Sequence, residues 1–289
     1  MDMTRERPIM IIDAYNMIHR CRFEWGGGLA ISEFGIVYNF FRALRHLTEE
    51  QSPSAVYFPL DGRPQHRLEL DSEYKANRKT DPSTMTEEEV EYWASFHQQK
   101  RIIIDAVKQY MPITTAYHPL YEGDDVVFHI VEKILKDDPS KEIMIVSSDT
   151  DFIQILNLYP DNVMLWNPIS KAFRQNTEYN YISWKAMVGD RSDNIPGVKG
   201  VGKVTAEKIL KKIGGLEERM LDPVFKDSYE KSYSLIKLNS LSKDSDGIEF
   251  SGDSFFQDEI KKLFEEMNFQ SLLKDSYINK FNEIFKTLV

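Results

Sequence analysis

Short apolar runs, each closed by an acid or a turn pair, alternate with segments of helical period along the first two thirds of the chain. Pro8 to Asp13 reads PIMIID, and Ala55 to Leu60 closes on Asp61-Gly62. Ile113 to Tyr117 precedes an acidic segment, and Glu142 to Val146 runs into Ser147-Ser148-Asp149-Thr150-Asp151. Asn162 to Trp166 supplies a fifth run. Unbroken apolar runs of this length suit strands covered on both faces. Between them, Phe34, Val37, Phe41 and Leu44 recur at helical spacing within a helix expected over Ser32 to Leu47. Further helices are expected over Thr86 to Tyr110, stopped by Met111-Pro112, and over Val126 to Leu135. This alternation predicts an α/β fold around a parallel sheet.

The pattern changes near Tyr179 to Lys185, beyond which helical periodicity and loops prevail. Two units are therefore expected, residues 1–183 and 184–289. Leu241 to Asp253, rich in Ser, Asp and Gly, reads as a loop or linker. Ile260, Leu263, Phe264, Met267, Leu272 and Leu273 predict an amphipathic helix broken near Asn268. Its apolar face is expected to close the second unit's own core.

With 289 residues and 42% hydrophobic content, the chain can bury a sizeable core. Cys21 is the single cysteine, which excludes an internal disulfide and fits a reducing, cytoplasmic compartment. The first apolar run stops at Asp13 and does not read as a signal peptide. No apolar stretch approaches the roughly 20 residues of a membrane span, so a soluble monomer with no membrane partner is expected. The net charge of −10 speaks against a nucleic-acid partner unless the acids cluster around divalent cations, which invert the local field.

The acids do stand in a pattern. Asp13, Asp61, the Glu122-Gly123-Asp124-Asp125 segment, and Asp149 with Asp151 each follow a predicted strand; Asp190 and Asp193 open the second unit. In open α/β sheets, sites form beyond the carboxyl ends of strands, so a parallel sheet puts these acids on one rim. Each has an ordinary reading alone: Asp61-Gly62 and Asp193-Asn194 as turns, the Glu122 and Asp149 segments as helix caps. Their recurrence at successive strand ends points to metal. Crowded carboxylates repel one another. Two Mg²⁺ ions, or Mn²⁺ as the alternative, held about 3.5–4 Å apart would relieve this and clamp the attacking and leaving oxygens of a phosphodiester.

Gly197, Gly200 and Gly202 precede a helix expected over Val204 to Lys212, with Lys199 and Lys203 among them. Glycine lets a backbone approach a ligand closely, and amides at a helix start hold phosphate. The preferred role is a sequence-independent grip on a DNA backbone; the alternative is a flexible turn before a solvated helix. Gly197 to Lys203 also satisfies GxxxxGK, but Val204 stands where an NTPase needs Ser or Thr, and no apolar strand precedes it. A second basic stretch carries Arg63, Arg67, Lys75, Arg78 and Lys79 with Tyr74. It reads either as a solvated helix and loop or as a mobile element beside the metals. In the latter, Lys75 or Arg78 stabilises charge on phosphate and Tyr74 stacks on a base. Arg20 is a further candidate phosphate contact. The six histidines show no ligand-like pairing and Cys21 lacks a catalytic environment, which disfavours a protein nucleophile.

Ile12-Asp13-Ala14-Tyr15-Asn16, Tyr74-Lys75-Ala76-Asn77-Arg78, Tyr121-Glu122-Gly123-Asp124-Asp125, Ser148-Asp149-Thr150-Asp151-Phe152 and Gly189-Asp190-Arg191-Ser192-Asp193-Asn194 stand in this order. Together they resemble the motifs of the 5′-nuclease (flap endonuclease) superfamily from the first strand to the glycine turn. The resemblance implies a PIN-like parallel-sheet nuclease domain with a helical arch near residues 67–100. It also implies a C-terminal helical domain whose helix-two-turn-helix motif, at Gly197 to Lys212, binds duplex DNA and often holds K⁺ through backbone carbonyls. A first metal is implied at Asp13, Asp61, Glu122 and Asp124, and a second at Asp149, Asp151, Asp190 and Asp193, with Asp125 between the groups. Lys75 and Arg78 match arch residues and join Asp13 and Asp124 as the catalytic set. Tyr74, Lys79, Arg20, Gly197, Lys199, Gly200, Gly202 and Lys203 are the expected DNA contacts. Gly123 departs from the alanine of many relatives, and the stretch from Arg67 to Thr86 is variable in the family. No motif matches after about Lys212.

With no polymerase region before Val289, the likeness is to the stand-alone, phage-like members, which remove RNA primers and 5′ flaps in DNA replication. The implied substrates are DNA and RNA–DNA duplexes with 5′ ends or flaps; a single-strand-binding protein or clamp is a partner for the C-terminal helices. The expectation is a two-metal, structure-specific 5′-nuclease. Its rivals are a single-strand-specific, metal-dependent ribonuclease of the toxin type and a catalytically silent DNA-structure binder.

Overall fold

Five parallel strands form the centre of the molecule: β1 (Ile9–Ile12), β2 (Ala55–Leu60), β3 (Thr114–Tyr117), β4 (Ile143–Val146) and β5 (Val163–Asn167). The computed structural model describes residues 7–23, 32–78 and 82–289. Two short antiparallel edges, β6 (Ala172–Phe173) and β7 (Glu249–Ser251), complete the order β6-β5-β4-β1-β2-β3-β7. Side chains alternate across the sheet as a period of two requires. Met10, Ile12, Met144 and Val146 enter one core, while Ile11, Ile143 and Ile145 enter the other.

The first face is covered by α1 (Ala14–Arg20), α2 (Gly35–Gln51) and α4 (Glu87–Tyr110); α3 (Gln65–Leu70) precedes α4 in the chain. Phe40, Phe41 and Leu44 of α2 meet Ile103 and Val107 of α4 there. The expected start of α4 is fixed by a capping box, in which the Thr86 side chain and Glu89 exchange bonds with each other's backbone amides. The opposite face carries α5 (Gly123–Asp137) and α6 (Ile153–Leu158).

The helices α7 (Tyr181–Val188), α8 (Lys203–Lys211), α9 (Gly215–Arg219) and α10 (Pro223–Ile236) form a separate core. Ile195, Val198 and Ala206 pack there against Phe225 and Tyr229. The chain then returns to the sheet, where β7 pairs with β3. The helices α11 (Gln257–Glu266) and α12 (Asp275–Lys286) set Ile260, Phe264, Phe281 and Phe285 into the same core as Phe40 and Phe41.

Three expectations are corrected here. Leu241 to Asp253 holds a strand as well as a loop. The C-terminal helices close the sheet's core and not that of the second unit, so 184–289 is not one packing unit. The supposed boundary at 183 also falls inside α7. Amphipathic spacing in the sequence marks which face is apolar but carries no record of its partner. The break near Asn268 is present; α11 ends at Glu266 with Met267 as its cap, and Asn268 follows in the left-handed conformation, φ 56°.

Candidate metal centre and nucleic-acid interface

The parallel sheet brings the acids to one rim, each placed by the element that follows its strand. Asp13 caps α1 through the Asn16 amide (3.1 Å) and accepts from the Ser147 hydroxyl (2.6 Å) at the end of β4. Asp61, after β2, accepts from the amide of Gly123 at 2.7 Å. A Cβ on Gly123 would stand 2.9 Å from that Asp61 oxygen, so the glycine lets α5 start close against the neighbouring strand end. Asp149 accepts from the Asp151 amide (2.8 Å).

Burial pushes Asp13 up to about 7, opposed by its bonds to Ser147 and Asn16 and reinforced by Asp61 and Asp149. Burial raises Asp61 as well. Asp124 is raised well above the carboxylate range, first by burial and then by the charges of Asp13, Asp149 and Asp61. These carboxylates therefore act on one another, as a site built for cations requires.

The second group is tighter. Among the described residues, Asp151, Asp190 and Asp193 each offer a carboxylate oxygen within 4.8 Å of the others, a spacing and donor type that fit one divalent ion. Asp190 caps the turn Arg191–Asp193 and accepts from Ser192. A two-way backbone bridge to Ile195 closes this turn. Burial works against the ionised Asp190, but Lys185 and Ser192 outweigh it and hold the group at about 2. Asp151 is moved the other way, to about 6, by burial, with Lys185 opposing and Asp149 adding. Asp124 and Asp151 line one small cavity with Lys75, Glu122, Lys185 and Asp193, so the two acid groups share a site.

Lys75 and Arg78 lie in this site. Lys75, at φ 55°, reaches Glu122 and stands 3.6 Å from Asp193. Arg78 pairs with Asp193 and donates to the Ser192 carbonyl at 3.1 Å. Backbone and amide contacts latch the two segments together: Lys75 amide to the Asp193 carbonyl (3.0 Å), Asn77 to the Arg191 carbonyl (2.7 Å) and Asn194 to the Glu73 carbonyl (2.8 Å).

Other expectations change. Asp125 is fully buried and faces the Arg67 guanidinium in a two-pronged pair at 2.6 and 2.8 Å. Asp125 thus serves as the counter-ion of Arg67 and does not line the cavity shared by Glu122, Asp124, Asp151 and Asp193, where the ligand set was expected to include it. Tyr74 is 5% exposed, and its hydroxyl donates to Glu122 (2.9 Å) with Asp193 at 3.3 Å, so its ring is not presented for stacking on a base. Arg67 is buried and not part of a mobile basic surface. Gly197 is buried too: at φ 70°, a Cβ there would meet the Gly189 amide nitrogen at 2.5 Å, so its role is close packing, not an open phosphate cradle. Lys79 lies outside the described residues. Arg20 contacts the Pro168 carbonyl at 3.4 Å and lines a separate cleft with Arg42 and His46.

Lys199, Gly200, Gly202 and Lys203 are exposed at the start of α8, and open space surrounds Gly200 and Gly202. The Trp184 indole donates to the Lys203 carbonyl at 3.3 Å, fixing this turn on α7. Sequence reasoning missed Lys185, a buried lysine on α7 that pairs with Asp151 and, at 2.6 Å, with Asp190. Its position inside an otherwise apolar helix, YISWKAMV, was the available sign.

A parallel α/β sheet with acids clustered at its carboxyl rim, joined to a helical unit with an exposed glycine turn, defines a class of α/β protein with an all-oxygen donor set suited to divalent cations. The family model for the 5′-3′ exonuclease N-terminal resolvase-like domain matches residues 8–187, and that for the 5′-3′ exonuclease C-terminal SAM fold matches 177–240. The chain belongs to the 5′-3′ exonuclease family. It is 30% identical over 223 residues to the thermostable DNA polymerase I of Thermus thermophilus, covering 72% of this chain and 24% of the polymerase. The chain thus spans about a quarter of the length of the polymerases it resembles. A 5′-3′ exonuclease of Aquifex aeolicus is 27% identical over 298 residues, with 93% of this chain and 95% of the relative covered. The bacteriophage T5 flap endonuclease, solved with DNA and metal ions, shares the fold at a TM-score of 0.67 and 21% identity, over 97% of this chain and 100% of its own. No helix among the described residues is long and apolar enough to cross a membrane.

Proposed function

We propose that this protein is a divalent-metal-dependent, structure-specific 5′-to-3′ nuclease that hydrolyses DNA at 5′ ends and flaps, and RNA in primer–DNA hybrids, during replication. The observation that carries the reading is the convergence of acids from four strand ends and the 190–193 turn on one site that also holds Lys75 and Arg78. The family match and the Aquifex relative, matched along nearly its whole length, point the same way.

Asp13, Asp61, Glu122 and Asp124 would hold one ion, and Asp149, Asp151, Asp190 and Asp193 the other, with Mg²⁺ the ion best suited to an all-oxygen, carboxylate-rich site. When bound, such a pair activates water and stabilises charge on the entering and leaving oxygens. The chain's own groups do the rest. Lys75 and Arg78, held at the rim by Glu122 and Asp193, would turn from carboxylate to the phosphate being cleaved. Ser147 and Asn16 keep Asp13 oriented. Lys199 and Lys203, with exposed backbone at Gly200 and Gly202, grip duplex phosphates without reading bases. The same turn is the place where K⁺ would bind.

The test compares labelled 5′-flap, nicked duplex, RNA–DNA hybrid and single-stranded RNA, with and without Mg²⁺, for the native chain and Asp151→Asn. Mg²⁺-dependent cleavage of the flap is expected, reduced roughly 100-fold or more in the variant, while duplex affinity changes little. Undiminished cleavage by the variant, or cleavage of single-stranded RNA alone, would overturn the reading.

A further inference from the structure

Arg67 stands outside the groups that touch a substrate or ion, yet every N–H of its guanidinium is used. Nε donates to the Leu235 carbonyl (2.9 Å) and Nη2 to the Lys237 carbonyl (3.3 Å), at the end of α10. Nη2 also meets Asp125 Oδ1 (2.8 Å), while Nη1 bonds Asp125 Oδ2 (2.6 Å) and Glu122 Oε2 (2.8 Å). The residue is 2% exposed. Carbonyls at a helix C-terminus are unpaired within the helix and carry partial negative charge, so they complement a cation. The segment after α10 is tied down twice more, by Gln154 to the Ile236 carbonyl (3.1 Å) and the Leu238 amide (3.1 Å), and by Asp125 to the Asn239 amide (2.8 Å). Glu122 has no side-chain cap bond to α5, so its carboxylate is held by Arg67, Tyr74 and Lys75.

We propose that Arg67 is a positioning residue that uses the end of α10 as a fixed abutment to aim the Glu122 carboxylate at the ion site. The helical unit thereby helps set the geometry of the acidic rim. The inference rests on the nuclease reading, in which Glu122 is a metal ligand. A lysine cannot replace Arg67, because one ammonium cannot span two carboxylates and two carbonyls in a planar fork. Removing a partner that orients a metal ligand typically weakens ion binding by about 10–100-fold.

The experiment titrates Mg²⁺ calorimetrically into the full chain without DNA, so no turnover enters, and records melting temperatures in parallel. Arg67→Lys is expected to weaken binding at least tenfold. Asp125→Asn, which loosens the guanidinium without removing it, is expected to weaken it about threefold or more, and decides alone if Arg67→Lys does not fold. Gln154→Leu cuts neighbouring ties without touching Glu122; it should lower the melting temperature and leave the titration unchanged. A native chain that binds no ion overturns the nuclease reading itself. Ion binding by the native chain that Arg67→Lys and Asp125→Asn match, with only their melting temperatures lowered, overturns the role of Arg67 and leaves the nuclease reading standing.

Discussion

Raising the pH of the ion-free protein should destabilise it. Asp13 titrates at about 7 and Asp151 at about 6 in the folded chain, against an ordinary aspartate value of 3.8. Both are raised mainly by burial, so the folded state binds these protons more tightly than the unfolded state. Their contribution is complete below about pH 4 and is lost as pH climbs through 6 and 7. Between pH 5 and 8 the loss from Asp13 comes to about 2–3 kcal/mol, and that from Asp151 to about 1–2 kcal/mol. Asp61 and Asp124, also raised, act in the same direction. Asp190, held at about 2, is ionised throughout this window and adds no slope. For 289 residues, the roughly 4 kcal/mol from Asp13 and Asp151 would by itself lower the melting temperature by about 6 °C; His19, pushed down to about 4 mainly by burial, works the other way between pH 5 and 7 and reduces this fall. Circular dichroism melts in EDTA at pH 5, 6, 7 and 8 measure this directly. Asp13→Asn should make the fall distinctly shallower, and millimolar Mg²⁺ at pH 8 should restore the native chain, because bound ions replace the missing protons. A melting temperature that holds level or rises with pH would refute the reasoning, as would an unchanged slope in Asp13→Asn.

Lys203→Ala should weaken duplex binding and reduce the slope of log affinity against log salt by roughly 0.9, read by fluorescence anisotropy at several salt concentrations; an unchanged slope removes this turn from the DNA grip. Phe281→Ala should cost about 3–5 kcal/mol in denaturant unfolding of the nuclease core, because Phe281 is fully buried 4.6 Å from the Phe285 ring and beside Phe264. A change confined to the α7–α10 unit would contradict that packing. Tyr74→Phe keeps the aromatic ring and loses the bonds to Glu122 and Asp193, so it should destabilise the fold by about 1–3 kcal/mol and disturb Mg²⁺ binding. A variant indistinguishable from the native chain in melting and ion titration would show that the Tyr74 hydroxyl does not hold Glu122.

The amino-acid sequence by itself determined the sheet, its parallel sense and the rim where the acids would gather. Apolar runs too hydrophobic for a one-sided sheet, each followed by a carboxylate, leave few arrangements other than strands buried on both faces with their carboxyl ends aligned. Lys75 and Arg78 were legible as site cations because their charge lies within a recognisable motif. Tertiary structure alone decided which neighbour a given charge or ring would meet. Asp124 and Asp125 are adjacent in sequence and chemically identical, yet helical geometry turns one toward the other acids and the other toward Arg67. Tyr74 carries no local mark of its burial, and Lys185, whose apolar helix does mark it as buried, carries no record of which carboxylates hold it. The C-terminal aromatics were plainly apolar, but the sheet's core claimed them only after the chain had folded back across a separate unit. Periodicity is a property of a short segment and survives in one dimension; the identity of a packing or charge partner arises from contacts across long stretches of chain, which only the folded molecule brings together.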